Sequence, residues 1–87
     1  MTVFLDAETK ALLGDAHHKF LSHCGEMSSG DRSDPRFGTG QGGLQSLVDT
    51  FDTAANDPRA SDAQRAECIR ARDFIAGTLA GLKGVAR

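Results

Sequence analysis

Three side chains that can bind a transition metal, His17, His23 and Cys24, lie within eight residues of one another. On a helix, His17 and Cys24 share a face but lie about 10 Å apart along the axis. Zinc requires its ligand atoms within about 2.0–2.3 Å of one point, and His23 flanks the other edge of the apolar face. We therefore predict no metal site and interpret these histidines as residues at the edge of the core.

The two cysteines, Cys24 and Cys68, both fall on the apolar faces of predicted helices. Buried thiols act as small hydrophobic side chains. A nucleophilic cysteine needs a base within hydrogen-bond reach and a group that orients this base, and neither cysteine has such a sequence context. We predict that the protein is not an enzyme, has no catalytic residue and uses no cofactor.

A glycine-rich segment offers a third kind of chemistry. Gly38, Gly40 and Gly43 have the G-x-G-x-x-G spacing and precede an apolar helical pattern, and Arg32 and Arg36 lie nearby. Backbone N–H groups at a helix N-terminus can bind phosphate. The dinucleotide-binding fingerprint, however, follows a strand, and none is predicted here. We predict a flexible linker, and the alternative is an anion-binding site formed by these five residues.

Hydrophobic residues recur at helical spacing on both sides of this segment, which predicts an all-α protein with a single domain. The expected fold is a small three-helix bundle with a long Gly-rich loop between the first two helices. The predicted elements over residues 1–87 are helix 1 at about 6–26, the loop at 28–43, helix 2 at about 43–55 and helix 3 at about 62–83.

Local signals mark several helix ends. Ser61 and Gln64 have the spacing of a capping box at the start of helix 3. Asn-Asp-Pro at 56–58 stops helix 2, because a residue before proline is pushed out of helical geometry. Gly14 costs about 1 kcal/mol inside helix 1 or marks a close contact, and Gly25 is a candidate left-handed residue at its end.

The order of the helices is open at one connection. The sixteen residues of the predicted loop reach about 20–24 Å as a flexible coil, and helix 2 is about 20 Å long. Helix 2 could therefore run parallel or antiparallel to helix 1. Short connections favour the antiparallel, up-down-up order. In this order Cys24 and Cys68 lie at opposite ends and stay unpaired, since a disulfide needs Cα atoms within about 7 Å.

Helix 3 has a second face opposite its apolar stripe. Small residues dominate this face, namely Ala63, Ala66, Gly77, Ala80, Gly81 and Gly84. Small residues four apart allow two helices to approach closely, and Phe74 adds an apolar ring beside them. The other interpretation is a frayed, glycine-weakened C-terminus. We predict a partner-binding or oligomer interface that comprises Ile69, Phe74, Gly77, Gly81 and Gly84.

Composition limits the classes of function. The 87 residues include no Trp and no Tyr and carry a net charge of −2. A thin core favours self-association, and the absence of a basic excess makes nucleic-acid binding unlikely in any non-specific form. No window approaches the ~18 apolar residues of a membrane span. MTVFLDAETK lacks the basic region of a signal peptide, and Thr2–Leu5 is too short to predict a strand. We expect a cytoplasmic protein with free thiols.

These observations favour a non-enzymatic small helical interaction protein, such as an inhibitor, adaptor or regulatory subunit, that binds a protein partner and forms a homo-oligomer. The alternative is an oligomeric binder that sequesters an anionic or nucleotide-like molecule at a subunit interface, and an enzyme ranks third. No family is matched by enough residues to be assigned. The Ala71-Arg72 pair and the apolar spacing to Leu82 resemble the C-terminal helix of small helical phage proteins that sequester cyclic nucleotides, which supports the alternative.

Overall fold

The computed structural model describes residues 5–87, and these residues form four α-helices and no β-strand. The helices are α1 (Ala7–Leu13), α2 (Ala16–Glu26), α3 (Pro35–Ala55) and α4 (Asp62–Gly84). The predicted all-α class is confirmed, but the number of helices is not, because predicted helix 1 is divided in two. The prediction that the segment at 2–5 forms no strand concerns residues that, apart from Leu5, lie outside the described range.

Gly14 ends α1 and separates it from α2, so the prediction of one helix over 6–26 is wrong at this point. Gly14 has a φ of 59°, a left-handed conformation that glycine adopts without steric cost. Its N–H donates to the Lys10 carbonyl oxygen, which closes the last turn of α1. Gly25, the residue predicted to end helix 1, lies inside α2, which ends at Glu26.

The glycine-rich segment is helical, and the prediction of a loop over 28–43 is wrong from Pro35 onward. Asp34 caps α3, because its carboxylate accepts a hydrogen bond from the Arg36 amide (2.9 Å). Pro35 occupies the first turn, where its missing N–H leaves no hydrogen bond unmade. Four glycines weaken the helix by about 1 kcal/mol each relative to alanine. Tertiary packing offsets this, since the apolar residues on either side of them are buried.

Two of these glycines let α2 lie close against α3. A Cβ atom on Gly40 would come within 2.5 Å of the His23 carbonyl oxygen and 2.8 Å of the Met27 side chain. A Cβ atom on Gly43 would collide with the His23 ring. The carbonyl oxygen belongs to a helix backbone that cannot turn aside, so a larger residue at position 40 would push α2 and α3 apart.

The most extensive helix pair is α3 with α4. The predicted capping box at the start of α4 is confirmed, with reciprocal hydrogen bonds of 2.9 and 3.1 Å between Ser61 and Gln64. An ion pair joins the two helices, between Arg72 and Asp52 (2.8 Å). The predicted apolar stripe of α4 faces the core through its four buried residues, Ala71, Ile75, Leu79 and Leu82.

The three longer helices, α2, α3 and α4, run up, down and up, the order that short connections favour. The Arg87 amide donates to the Gly30 carbonyl oxygen (2.8 Å), which places the C-terminal end of α4 beside the connection between α2 and α3. Cys24 lies near this end, in the last turn of α2. Cys68 lies at the other end, in a groove with Asp57 of the connection between α3 and α4. Both cysteines are free thiols.

Replacing Gly40 tests the close approach of α2 to α3. Gly40→Ala should lower the free energy of unfolding by about 1–3 kcal/mol, because the added methyl group overpacks the helix contact. Gly42→Ala is the matched control on the same helix, since only its chain neighbours and the backbone of α3 itself lie within 4 Å of its Cβ position. The control should raise the free energy of unfolding by about 0.5–1 kcal/mol through helix propensity. Urea denaturation measures both, and equal stabilisation by the two variants would contradict the packing.

Burial of Cys24 predicts a loss of stability at alkaline pH. Removal from water raises the pKa of this thiol from 9.0 to about 11. A pKa raised by folding stabilises the folded state below pH 9, and this contribution disappears as the pH rises toward 11. The expected loss is about 2 kcal/mol, since one pKa unit corresponds to about 1.36 kcal/mol. Denaturation at pH 8 and pH 11 should show a smaller pH effect in Cys24→Ala than in Cys68→Ala. Equal pH effects in the two variants would contradict this.

Candidate functional site

The α4 outer face is the exposed side of α4, opposite the buried stripe. It comprises Ala63, Ala66, Arg70, Asp73, Gly77, Ala80, Gly81 and Gly84, all of which are exposed. Six of these eight residues are alanine or glycine. The backbone of α4 is therefore covered by little side-chain volume along most of this face.

The three glycines of the α4 outer face are open. No described atom outside the helix itself lies within 4 Å of the Cβ position of Gly77, Gly81 or Gly84. Gly40 and Gly43 differ in this respect, because the packing of α2 requires them. Each exposed glycine inside a helix costs about 0.5–1 kcal/mol relative to alanine. Packing within the described chain gives no reason for this cost in α4.

Two of the five predicted interface residues lie apart from this face. Phe74 is half-buried and packs against the core, with its ring 5.4 Å from the ring of Phe20 in α2. Ile69 is also half-buried. The structure therefore brings together Gly77, Gly81 and Gly84 on the exposed face and assigns the aromatic ring to an internal contact.

One pair of opposite charges interrupts the small residues of the α4 outer face. Arg70 and Asp73 are three residues apart and both exposed. Asp73 accepts a hydrogen bond from Arg72 through Oδ1 (3.1 Å), which leaves Oδ2 available. Among residues 5–87, no carboxylate is paired with Arg70. Sequence analysis missed this pair, although its spacing of three on the same face as the glycines was readable.

Arg32 ties the connection between α2 and α3 to the end of α4. Its guanidinium donates to the Lys83 carbonyl oxygen and lies 5.8 Å from the centre of the Phe37 ring. Its backbone N–H donates to the Arg87 carbonyl oxygen (3.3 Å). A cation at the carbonyl end of a helix is stabilised by the helix dipole. The side chain predicted to bind an anion therefore holds the C-terminus of α4.

Arg36 is paired with the cap of α3. Its guanidinium donates to the Asp34 carboxylate at 3.1 Å. Hydrogen bonds from the Arg36 side chain and then from its amide lower the pKa of Asp34, and the carboxylate in turn raises the pKa of Arg36. The Asp34 carboxylate thus occupies the helix N-terminus at which a phosphate would otherwise bind.

The five residues of the predicted anion site do not converge. Gly38, Gly40 and Gly43 lie in the interior of α3, where the backbone N–H groups belong to the helix. Gly38 is exposed, Gly40 is buried under α2, and Gly43 lies under the His23 ring. The loop on which the prediction depended is absent from this part of the chain because Asp34 and Pro35 begin a helix there.

The described residues provide neither a metal cluster nor a membrane span. Within 5–87, no group of three or more His, Cys, Asp and Glu side chains is arranged to hold a metal ion. None of the helices in this range is long and apolar enough to cross a bilayer. His17 and His23 lie on either side of Phe20 in α2. The Nδ1 atom of His17 forms a hydrogen bond with the Gly14 carbonyl oxygen (2.7 Å).

Comparisons with protein-family models, with curated proteins and with solved structures gave no match for this chain. The candidate site therefore depends on the geometry of the described residues alone.

Loss of the Arg32 contacts should loosen the end of α4. Arg32→Ala should speed hydrogen exchange at the Val85 and Arg87 amides and lower the free energy of unfolding by no more than about 1.5 kcal/mol, the usual limit for one such hydrogen bond. Arg36→Ala is the control, since its ion pair is exposed and lies at the start of α3. Exchange rates at these two amides that rise equally in both variants would contradict the proposed contact.

Proposed function

We propose that the protein is a non-enzymatic helical interaction protein that binds a protein partner through the α4 outer face. The observation that carries this proposal is the set of open glycines, Gly77, Gly81 and Gly84, on the exposed side of a capped and well-packed helix. Gly25, Gly38 and Gly42 are open as well, but the glycines of α4 share one exposed face with Ala63, Ala66 and Ala80. A whole face of small residues is explained by a close contact with another molecule. Small residues at a spacing of four allow a second helix to approach the backbone itself.

A second copy of the chain fits this face. In an antiparallel, two-fold arrangement, each residue faces a residue of the copy at a mirrored position. A register that places Arg70 opposite Asp73 of the copy forms two ion pairs, because the two-fold axis repeats each contact. The same register places Ala66 opposite Gly77 and Ala63 opposite Ala80 of the copy, so that small residues meet on both sides of the charged pairs. The charges and the small residues between Ala63 and Ala80 therefore support the same homodimer, and Gly81 and Gly84 lie at the ends of this contact.

This role agrees with the rest of the chain. The thin core has no Trp or Tyr, and burial of a further face would add to its stability. Two free thiols suit a reducing compartment, which supports a cytoplasmic location. An inhibitor, adaptor or regulatory subunit would act in this way, by presenting a rigid helix face rather than by chemistry.

Gly77→Leu tests the proposal directly. A leucine where Gly77 faces Ala66 of the copy keeps the helices apart and should weaken self-association by about tenfold or more. Helicity should be unchanged, because no described atom outside α4 lies near the new side chain. Sedimentation equilibrium measures the association constant of both proteins.

Gly42→Leu is the matched control for this variant. Gly42 is also exposed and open but lies on α3, where Gln45 and Asp49 follow it. The control should associate as the wild type does. A wild-type mass of 9.2 kDa at millimolar concentration would refute the self-association, and equal weakening by Gly42→Leu would move the interface away from the α4 outer face.

A further inference from the structure

A second groove, formed by α2 and α3, collects polar groups that the proposed interaction does not use. Its volume is about 490 Å³. The polar side chains that line it are Lys19, Ser22, His23, Ser46 and Thr50. One wall of the groove comes from α2, and the other comes from α3, more than twenty residues later in the sequence. Gly43 forms the floor beneath the His23 ring.

His23 is held in a defined orientation in this groove. Its Nδ1 atom lies 2.6 Å from Glu26 Oε1, one turn further along α2. The ring rests against Gly43, in the space that a Cβ atom would otherwise take. Its Nε2 atom has no hydrogen-bond partner among residues 5–87, yet no buried side-chain nitrogen or oxygen in this range lacks a partner. Nε2 is therefore open to solvent.

The other lining groups are mainly donors. The Lys19 ammonium is exposed and forms no ion pair within the described chain, and the Ser22 and Ser46 hydroxyls form no hydrogen bond there. Thr50 donates to the Ser46 carbonyl oxygen (2.9 Å). The charged groups nearest His23 are Lys19 and Glu26, both from α2, and α3 adds two hydroxyl groups, Gly43 and the apolar Leu47 to the lining, with no charged side chain.

We propose that this groove binds the phosphate group of a small phosphate monoester. A tetrahedral oxyanion needs several hydrogen-bond donors, and the Lys19 ammonium and the uncommitted Ser22 and Ser46 hydroxyls, which line one groove, supply three of them. The Glu26 carboxylate accepts from Nδ1–H, so Nε2 of the neutral ring is an acceptor that receives a hydrogen bond from a protonated oxygen of the phosphate group. Gly43 is glycine because the ring must lie flat on α3 to reach this position. The site is of the class predicted for Arg32 and Arg36, but it is built from other residues, and it is independent of the α4 outer face.

Titration with inorganic phosphate and with methyl phosphate, followed by amide chemical shifts, tests this site. We expect saturable shifts at His23, Gly43 and Ser46, with no change at Gly77. Potassium chloride at equal ionic strength is the control and should produce no saturable shift. Shifts that follow ionic strength alone, or that spread over the whole chain, would overturn the proposal.

Variants separate the proposed site from general attraction of anions. Lys19→Met should weaken phosphate binding by about tenfold or more, the effect expected on losing a charged hydrogen-bond donor. Gly43→Ala should weaken it as well, because the methyl group displaces the His23 ring. Lys83→Met removes the same charge from another groove, beside Arg32, and should leave the affinity unchanged. An equal loss of phosphate affinity in Lys19→Met and Lys83→Met would overturn the assignment. This comparison holds even if Gly43→Ala fails to fold, because Lys19 is exposed and its replacement leaves the core unchanged.

Discussion

The close approach of α2 to α3 at Gly40 is the contact on which the remaining packing depends. Here the backbone of one helix meets the backbone of the other, since even a methyl group would lie 2.5 Å from the His23 carbonyl oxygen. This approach brings Phe20 of α2 and Met27, which follows α2, into the core, where each is at most 1% exposed. Burial of one such side chain contributes about 1.5–3 kcal/mol, which exceeds the helix propensity that one glycine removes.

Seven of the ten glycines fall into three groups by backbone conformation and surroundings. Gly14 and Gly30 have positive φ values and end or turn the backbone. Gly40 and Gly43 admit α2 and the His23 ring. The glycines of the α4 outer face meet neither requirement, but they share one exposed face with alanines, and the contact that we propose for them is with another molecule. Steric space also explains the position of His23 in the groove between α2 and α3, because only glycine at position 43 leaves room for its ring.

The sequence was informative wherever local chemistry decides the structure. The all-α class, the end of the helix at Ala55 and the capping box at Ser61 were predicted because periodicity and capping act over a few residues. The start of α3 at Asp34-Pro35 was missed because the four glycines predicted a loop. Burial against α2 makes this segment helical in spite of them. Propensity is a weak prior when tertiary contacts can override it.

The sequence revealed some residues of the candidate sites and missed others, because it shows local spacing but not tertiary contacts. The small residues of the α4 outer face lie on one helix, so helical spacing alone revealed them. Phe74 was misplaced, since only the fold shows that Phe20 lies beside it. The groove at His23 could not be predicted, because it forms only where α3 packs against α2. Its α3 residues lie within the predicted helix 2, but the direction of that helix relative to helix 1 was left open.

An isotope-filtered nuclear Overhauser measurement on a mixture of glycine-labelled and unlabelled protein detects the proposed contact between two α4 outer faces. We expect intermolecular contacts at the Gly77 Hα protons. We expect only intramolecular contacts at Gly40, to the Met27 side chain, and no intermolecular contacts at Gly42. Intermolecular contacts at Gly42, or their absence at Gly77 in a sample that sedimentation shows to be dimeric, would contradict the assignment of the α4 outer face.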